Sequence, residues 1–375
     1  MALPGNSIIL QNRPLTPTIL PLSKLPSKSI NYQSNHLHSL FHCNPKLPPL
    51  SCAAKSTFLS DDVELQSSNS TSSSTTWSEF AKNVSGEWDG FGADFTAKGI
   101  PIELPENVVP EAFREWEVRV FDWQTQCPTL ASIEFENPVL NYKNIKLLPT
   151  VGCEADAATR FSIDCRNVGG TDSSISTFAF QSSGCYVAVW PIEDKNGVNW
   201  GFELEHCLIN PEDKESRVRI IQVVELDNGK KTMILKNIRV FVEQWYGPFR
   251  DGDQLGGCAI RDSAFASTSA MESSQVAGVW QSSISVASFD ASETGLIQEL
   301  KENGVQKSVR DAHDLILLPK QLWCSLKRTE DGETNCEAGW LFDHGSAVTS
   351  KCSFSSDSKL KEISIARETP ALQNG

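Results

Sequence analysis

Gly86-Glu87-Trp88 returns in the second half of the chain as Gly278-Val279-Trp280, and three further pieces follow it in the same order. Leu147-Leu148-Pro149 is answered by Leu317-Leu318-Pro319. Gly201-Phe202-Glu203-Leu204-Glu205-His206 is answered by Gly339-Trp340-Leu341-Phe342-Asp343-His344, and Leu235-Lys236-Asn237-Ile238 by Leu360-Lys361-Glu362-Ile363. Two or three shared residues arise by chance. Four collinear matches, with an aromatic and an acid-His pair among them, predict one folding unit copied in tandem.

Around these pieces the sequence is built of short alternating runs. Trp116 to Phe121, Arg217 to Val224 and Ile238 to Val242 are rich in β-branched residues with period two, the pattern of half-buried strands. Asp227-Asn228-Gly229 predicts a hairpin tip, because Asn-Gly accepts positive φ; Asp331-Gly332 and Ser356-Asp357 mark two more turns. Helical spacing is clear only at Trp77, Phe80, Ala81 and Val84. Many short strands joined by tight turns predict an all-β antiparallel fold. Closure into barrels is the expected form, since it removes exposed edges. In such a barrel a Trp two residues after a Gly plugs the floor, the Gly lets the entering chain pass close beneath, and a basic residue of the last strand lies over the indole.

These features resemble the calycin superfamily, the lipocalins and their relatives, whose first strand carries Gly-x-Trp and whose last carries an Arg. On that resemblance Gly86 and Trp88 go with Arg239, and Gly278 and Trp280 with Arg367. The run Trp77-Ser78-Glu79-Phe80-Ala81-Lys82-Asn83, followed by Gly86-Glu87-Trp88-Asp89-Gly90, more closely resembles the opening of an uncharacterised two-domain calycin-like family of cyanobacteria and chloroplasts. The resemblance covers 77 to about 369 and implies two lipocalin-like barrels; a composition break rich in Gly, Asp, Ser and Ala at 251–274 reads as the linker between them, giving barrels at 77–250 and 275–369 and a tail at 370–375. It also implies a cavity for a tetrapyrrole, carotenoid or lipid. Related cyanobacterial barrels include bilin lyases, but a plant plastid has no phycobilisomes and that activity does not carry over.

Residues 1–54 contain no Asp or Glu, while Arg13, Lys24, Lys28 and Lys46 are scattered among Ser, Pro, Leu and Asn. This is the composition of a transit peptide, and its frequent prolines favour a chloroplast over a mitochondrial address. The small residues of Leu50-Ser51-Cys52-Ala53-Ala54 suit cleavage, and the Ser-rich residues 55–76 read as a disordered linker. The chain carries a formal charge of −14, and removal of a basic leader makes the remainder more acidic still. Such a surface gains nothing from phosphates or anionic lipid, which argues against nucleic-acid binding. No apolar run is long enough to span a bilayer. A stromal protein is expected, with thylakoid association through protein partners left open.

Chemistry is harder to find. His206 and His344 occupy matching places in the repeat, each after a carboxylate. Alternation puts Glu203 and Glu205 on one strand face and Leu204 and His206 on the other, so His206 is expected to face the interior with the apolar set. There it could contact a ligand or metal centre, or sit as a satisfied buried histidine. Trp190, Trp200, Trp323 and Trp340 are expected to line a cavity, since indoles fill barrel interiors and stack on flat ligands. Gln244-Trp245-Tyr246-Gly247-Pro248-Phe249 is expected to pack between the units. No catalytic residue or metal site is assigned: there is no Gly-x-Ser-x-Gly elbow, no Cys-x-x-Cys pair and no phosphate loop. The cysteines read as buried hydrophobes, with Cys153 and Cys165 a pair open to redox control. The expected function is binding of a hydrophobic or tetrapyrrole-type ligand without turnover. The alternatives are a lyase or isomerase acting on such a molecule, and an assembly factor for photosynthetic complexes.

Overall fold

The computed structural model describes residues 70–134, 136–150, 160–170, 173–193, 197–227, 232–253, 264–289 and 297–371. The expected transit peptide, Cys153 and residues 254–263 of the expected linker lie outside the described residues.

Helix α1 (Ser70–Val84) begins within the stretch read as linker. Its apolar stripe of Trp77, Phe80, Ala81 and Val84 is fully buried, and such tertiary packing extends a helix through polar residues that would not form one alone. Ten strands follow: β1 (Glu87–Thr96), β2 (Asp122–Gln126), β3 (Thr129–Ala131), β4 (Leu140–Leu147), β5 (Arg160–Val168), β6 (Thr177–Phe180), β7 (Tyr186–Glu193), β8 (Asn199–Ile209), β9 (Ser216–Asp227) and β10 (Thr232–Gly247). The second half supplies β11 (Gly278–Ser288), β12 (Ile297–Glu299), β13 (Lys301–Arg310), β14 (Ile316–Leu318), β15 (Leu322–Arg328), β16 (Thr334–Leu341), β17 (Ala347–Phe354) and β18 (Leu360–Pro370). The runs at 217–224 and 238–242 lie in β9 and β10. The third, 116–121, is no strand. A short helix, α2 (Glu111–Glu115), is followed by a left-handed residue, Glu117 at φ 54°. Trp116 and Val118 are exposed, so the alternation there has no buried face to specify.

Sheet A runs β12-β6-β7-β8-β9-β10-β1-β2-β4-β3, with β5 also paired to β4; sheet B runs β13-β11-β18-β17-β16-β15-β14. The expected pair of closed barrels is thus replaced by a curled half-barrel and a second sheet. The seam of sheet A is occupied by α1. The Trp77 indole donates to the Ser132 carbonyl just past β3 (2.7 Å), while its ring meets Phe180 of β6 edge-on (4.9 Å between centroids). Sheet B stays open between β13 and β14.

Behind both sheets lies a shared apolar layer. Phe202 stacks on Phe354 with centroids 6.0 Å apart, and each half also reaches into the other. From the β11–β13 connection, β12 pairs in parallel with β6. From the β1–β2 connection, Gly99 (φ +76°) approaches β14 so closely that a Cβ there would sit 2.8 Å from the Leu317 carbonyl oxygen. Since β6 flanks β7 as β14 flanks β15, the two insertions reach corresponding strands.

Candidate functional site

The two tryptophans of the repeat hold equivalent posts. Trp88 Nε1 donates to the Val84 carbonyl at 2.9 Å, and Trp280 Nε1 donates to the Val276 carbonyl at 2.9 Å. From them the strand pairing runs in parallel through both sheets. Gly90 faces Glu243, which faces Arg217; Ser282 faces Glu368, which faces Ala347. Phe241 faces Arg219 and then Cys207, as Ala366 faces Thr349 and then Gly339. Glu205 and Glu337 correspond, as do Tyr186 and Trp323, and Trp190 and Lys327.

In sheet A these concave positions are filled. Glu205, wholly buried, accepts from Tyr142 Oη (2.6 Å), Tyr186 Oη (3.0 Å), Trp190 Nε1 (3.2 Å) and Arg219 Nη1 (3.0 Å). Arg219 also forks onto Glu243 through Nε and Nη2 (3.0 and 2.8 Å), and Arg217 Nε adds a contact to Glu243 at 2.7 Å. The Arg219 guanidinium carbon lies 4.4 Å from the Phe241 ring centroid, and that of Arg217 lies 4.3 Å from the Trp88 centroid. The indole face offsets part of the cost of the two Arg217 Nη nitrogens, which have no hydrogen-bond partner. Burial pushes the Glu243 carboxyl up, but the two guanidiniums outweigh it and hold it below the usual carboxylate range. Burial and Glu205 together hold the Tyr142 and Tyr186 hydroxyls well above theirs. Two cations face two anions, paired to one another and seated on aromatic rings with no open space between them, so this cluster is a packed core rather than a receptor.

In sheet B the same positions carry smaller or longer, mobile-headed residues, and a cavity of about 270 Å³ results. Thr349, Ala366 and Ser364 replace Arg219, Phe241 and Arg239, and Lys327 and Lys351 replace Trp190 and Ile221. The position facing Gly92, Trp123, falls in sheet B at an irregularity beside Gly304. The acids remain. Glu368 accepts from Ser282 (2.6 Å), Ser308 (2.9 Å) and Arg310 Nη2 (2.5 Å), and Glu337 accepts from Arg310 Nε (2.5 Å) and Trp323 Nε1 (3.1 Å). Arg310 comes from β13, where it pairs with Gly278 as Thr129 pairs with Gly86. Burial disfavours the Arg310 cation, yet Glu337 and Glu368 raise its pKa above the usual value.

The residues expected at the site are distributed differently. His206 is fully buried but faces sheet B: Nδ1 lies 2.8 Å from Ser350 Oγ, and Nε2 lies 3.2 Å from Gln222 Oε1, whose amide donates to the Ser325 carbonyl. The alternation holds: His206 is buried on the face of Leu204 and Leu208, which is the layer between the sheets, while Glu203 and Glu205 are on the concave side. Burial lowers the His206 pKa to about 4. His344 is no counterpart, because the strand registers make Ala338 the equivalent of His206; it lies exposed in a turn, stacked on Phe342 near Ser346 and Glu212. Trp190 and Trp323 are on the concave faces, each bonded to a glutamate. Trp200 and Trp340 are half-buried on the opposite faces, Trp340 against Phe342. Gly86 (φ +141°) admits the Trp245 indole, whose Nε1 would lie 2.1 Å from an added Cβ; Gly278 opens β11 in the same relation to Trp280. The cations over the indoles are Arg217 and Arg310, from β9 and β13, rather than Arg239 and Arg367. Arg239 pairs with Asp94 at 2.8 Å, and Arg367 is exposed on β18. Trp245 packs against Ser85 within the first half, its Nε1 donating to that carbonyl at 3.3 Å.

The glutamates were missed as site residues, although one signal pointed to two of them: Glu243 and Glu368 each lie on the last strand of their half, facing the residue two beyond the Gly-x-Trp tryptophan. Cys165 is disulfide-bonded, while the six other cysteines among the described residues are free and buried. Burial raises the thiol pKa of all six. No helix among the described residues is long and apolar enough to cross a membrane.

No family model matches the chain, and no curated protein is significantly similar to it. Among solved structures, it is similar to a protein of unknown function from the DUF3598 family of Nostoc punctiforme, at 11% identity and a TM-score of 0.46, over 79% of this chain and 99% of that one. A far weaker likeness, with 6% identity and a TM-score of 0.13, is to a transferrin-binding protein B double mutant from Haemophilus parasuis, over 76% of each chain.

Proposed function

We propose that the chain is a small-molecule binding protein whose ligand sits on the concave face of sheet B. The observation that carries this is the cavity itself, which occupies positions that the duplicated half fills with Arg219, Phe241 and Trp190. Its volume of about 270 Å³ lies just under the range of about 300 to 1,000 Å³ for drug-sized ligands. The hydrophobic or tetrapyrrole-type ligand expected from sequence is thereby narrowed to a compact molecule, and the serines, lysines and glutamates of the lining favour one with several hydrogen-bonding groups. Beneath the lining, Arg310 lies over the buried rings of Trp280 and Trp323. Binding without turnover is the better reading, because His206 is engaged between the sheets and His344 lies outside the cavity. The N-terminal composition supports a plastid location.

The test is native mass spectrometry of the full chain purified from chloroplasts, beside a variant carrying Thr349→Arg and Ala366→Phe. These substitutions restore the residues of the first half. The wild-type chain is expected to retain a small molecule that the filled variant lacks, with the same circular dichroism from both. A wild-type chain without bound mass, or a variant that retains it, would sink the reading.

A further inference from the structure

We propose that the sheet B cavity takes a compact zwitterion, whose cationic head occupies the place that Arg219 fills in the first half; this rests on the cavity being a binding site. The argument begins with charge. On the floor of sheet A, Arg217 and Arg219 face Glu205 and Glu243. In sheet B the glutamates persist as Glu337 and Glu368, but the positions of Arg217 and Arg219 are Ala347 and Thr349. Arg310 alone is paired with both acids, so two carboxylates share one paired cation among the described residues, where sheet A has two. The vacated space lies beside Thr349, where a guanidinium or ammonium of a ligand meets Glu337 and Glu368. A charge so placed is held by charge-assisted hydrogen bonds in a partly desolvated setting.

The rest of the lining asks for an acid. Lys327 is paired with Asp314 at 2.6 Å, and Asp311 accepts from the His313 backbone at 3.0 Å. Lys307 and Lys351, however, have no ion pair among the described residues, and both line the cavity. Lys351 stands beside Glu337 in the strand register. Arg310, with a side chain only 5% exposed, also lines it and keeps an Nη1 donor without a hydrogen-bond partner. A purely cationic ligand would meet these lysines unfavourably. A molecule with a cation at one end and a carboxylate at the other satisfies both sets, and its size suits the volume.

Isothermal titration calorimetry of the full chain with L-arginine, agmatine and L-citrulline separates the two ends. Arginine carries both groups, agmatine lacks the carboxylate, and citrulline has a neutral urea in place of the guanidinium. Arginine is expected to bind, with agmatine and citrulline each weaker by about tenfold or more, the equivalent of one lost charged contact. Lys351→Met should bring arginine down to the level of agmatine, and Thr349→Arg should abolish binding while raising the melting temperature of the free chain. Citrulline binding as tightly as arginine, or no heat from arginine at millimolar concentration, would overturn the proposal. If arginine fails while the filled variant still loses a co-purified mass, the cavity remains the site and only the zwitterion falls. If the filled variant also changes nothing, both fall.

Discussion

Around Trp88 the concave positions of sheet A carry Arg219, Phe241, Trp190 and Ile221, whereas around Trp280 the register-equivalent positions of sheet B carry Thr349, Ala366, Lys327 and Lys351. The glutamates are kept in both. In the first half a guanidinium fork and aromatic rings complete a buried network; in the second the same frame is left open, its two glutamates sharing Arg310. One copy therefore serves as core and the other is free to serve as receptor. The frame itself rests on features common to both, the indole bonded to the preceding turn and the acid on the last strand.

The comparison is broken most severely by making the first half resemble the second. Arg219→Thr removes the guanidinium that joins Glu205 to Glu243, leaving Glu243 with Arg217 alone and Glu205 with the neutral donors Tyr142, Tyr186 and Trp190. Removing one partner of a buried ion network costs about 3–5 kcal/mol. Urea unfolding should show that loss, while Thr349→Arg, which supplies the missing counterion in sheet B, should leave stability unchanged or higher. If Arg219→Thr costs no more than an exposed substitution, the buried network does not hold sheet A together.

The layer between the sheets gives the next effect. His206 has Ala338 as its counterpart and is the only histidine buried there among the described residues. Burial lowers its pKa to about 4, against about 6.5 in an unfolded chain. Between these values the unfolded state takes up a proton that the folded state refuses. The stabilisation from neutral His206 is therefore complete above about pH 6.5 and is lost as pH falls through 4, a change of about 3 kcal/mol. Asp89 acts in the opposite sense: burial, with Glu87 and Glu243, raises its pKa to about 7, so its contribution is lost as pH rises. Comparing the wild-type chain with His206→Gln, which share Asp89, isolates the histidine. The stability difference between them should shift by about 3 kcal/mol from pH 7 to pH 4; a constant difference would show that His206 is already solvated.

Much of this frame could be read from the residues. The Gly-x-Trp pairs located the first strand of each half, and helical spacing located α1, because a stripe or a tight turn leaves a local signature. The third repeat piece misled: it matched Glu205 to Asp343, whereas pairing matches Glu205 to Glu337. Glu337 within β16 and Asp343 in the turn after it are both acids near a strand end in sequence, and only hydrogen-bond register tells which one corresponds to Glu205. The same limit hid which buried face of β8 is the concave one. Hydrophobicity marked His206 as interior, but a strand packed on both sides has two interiors, and buried ionic clusters do not announce which one they occupy. The cations over the indoles were invisible for a similar reason. Arg217 and Arg310 come from non-equivalent strands that converge only when the sheets curl.

The smallest effect bears on that convergence. Trp88→Phe and Trp280→Phe each remove an indole N–H bonded to a carbonyl at 2.9 Å, and stranding a buried carbonyl costs about 1–3 kcal/mol. If the two posts are equivalent, this part of the loss is the same in both halves. The remainder differs. Arg217 lies 4.3 Å from the Trp88 ring with both Nη groups otherwise unpartnered, while Arg310 lies 5.8 Å from Trp280 and is held by two glutamates. A desolvated cation at contact distance gains about 1–2 kcal/mol from an indole face, of which a phenyl ring restores only part. Trp88→Phe should accordingly cost more than Trp280→Phe by about 1 kcal/mol in urea unfolding. Equal losses would mean that Arg217 is held by Glu243 alone and that its seat over the indole is a consequence of packing.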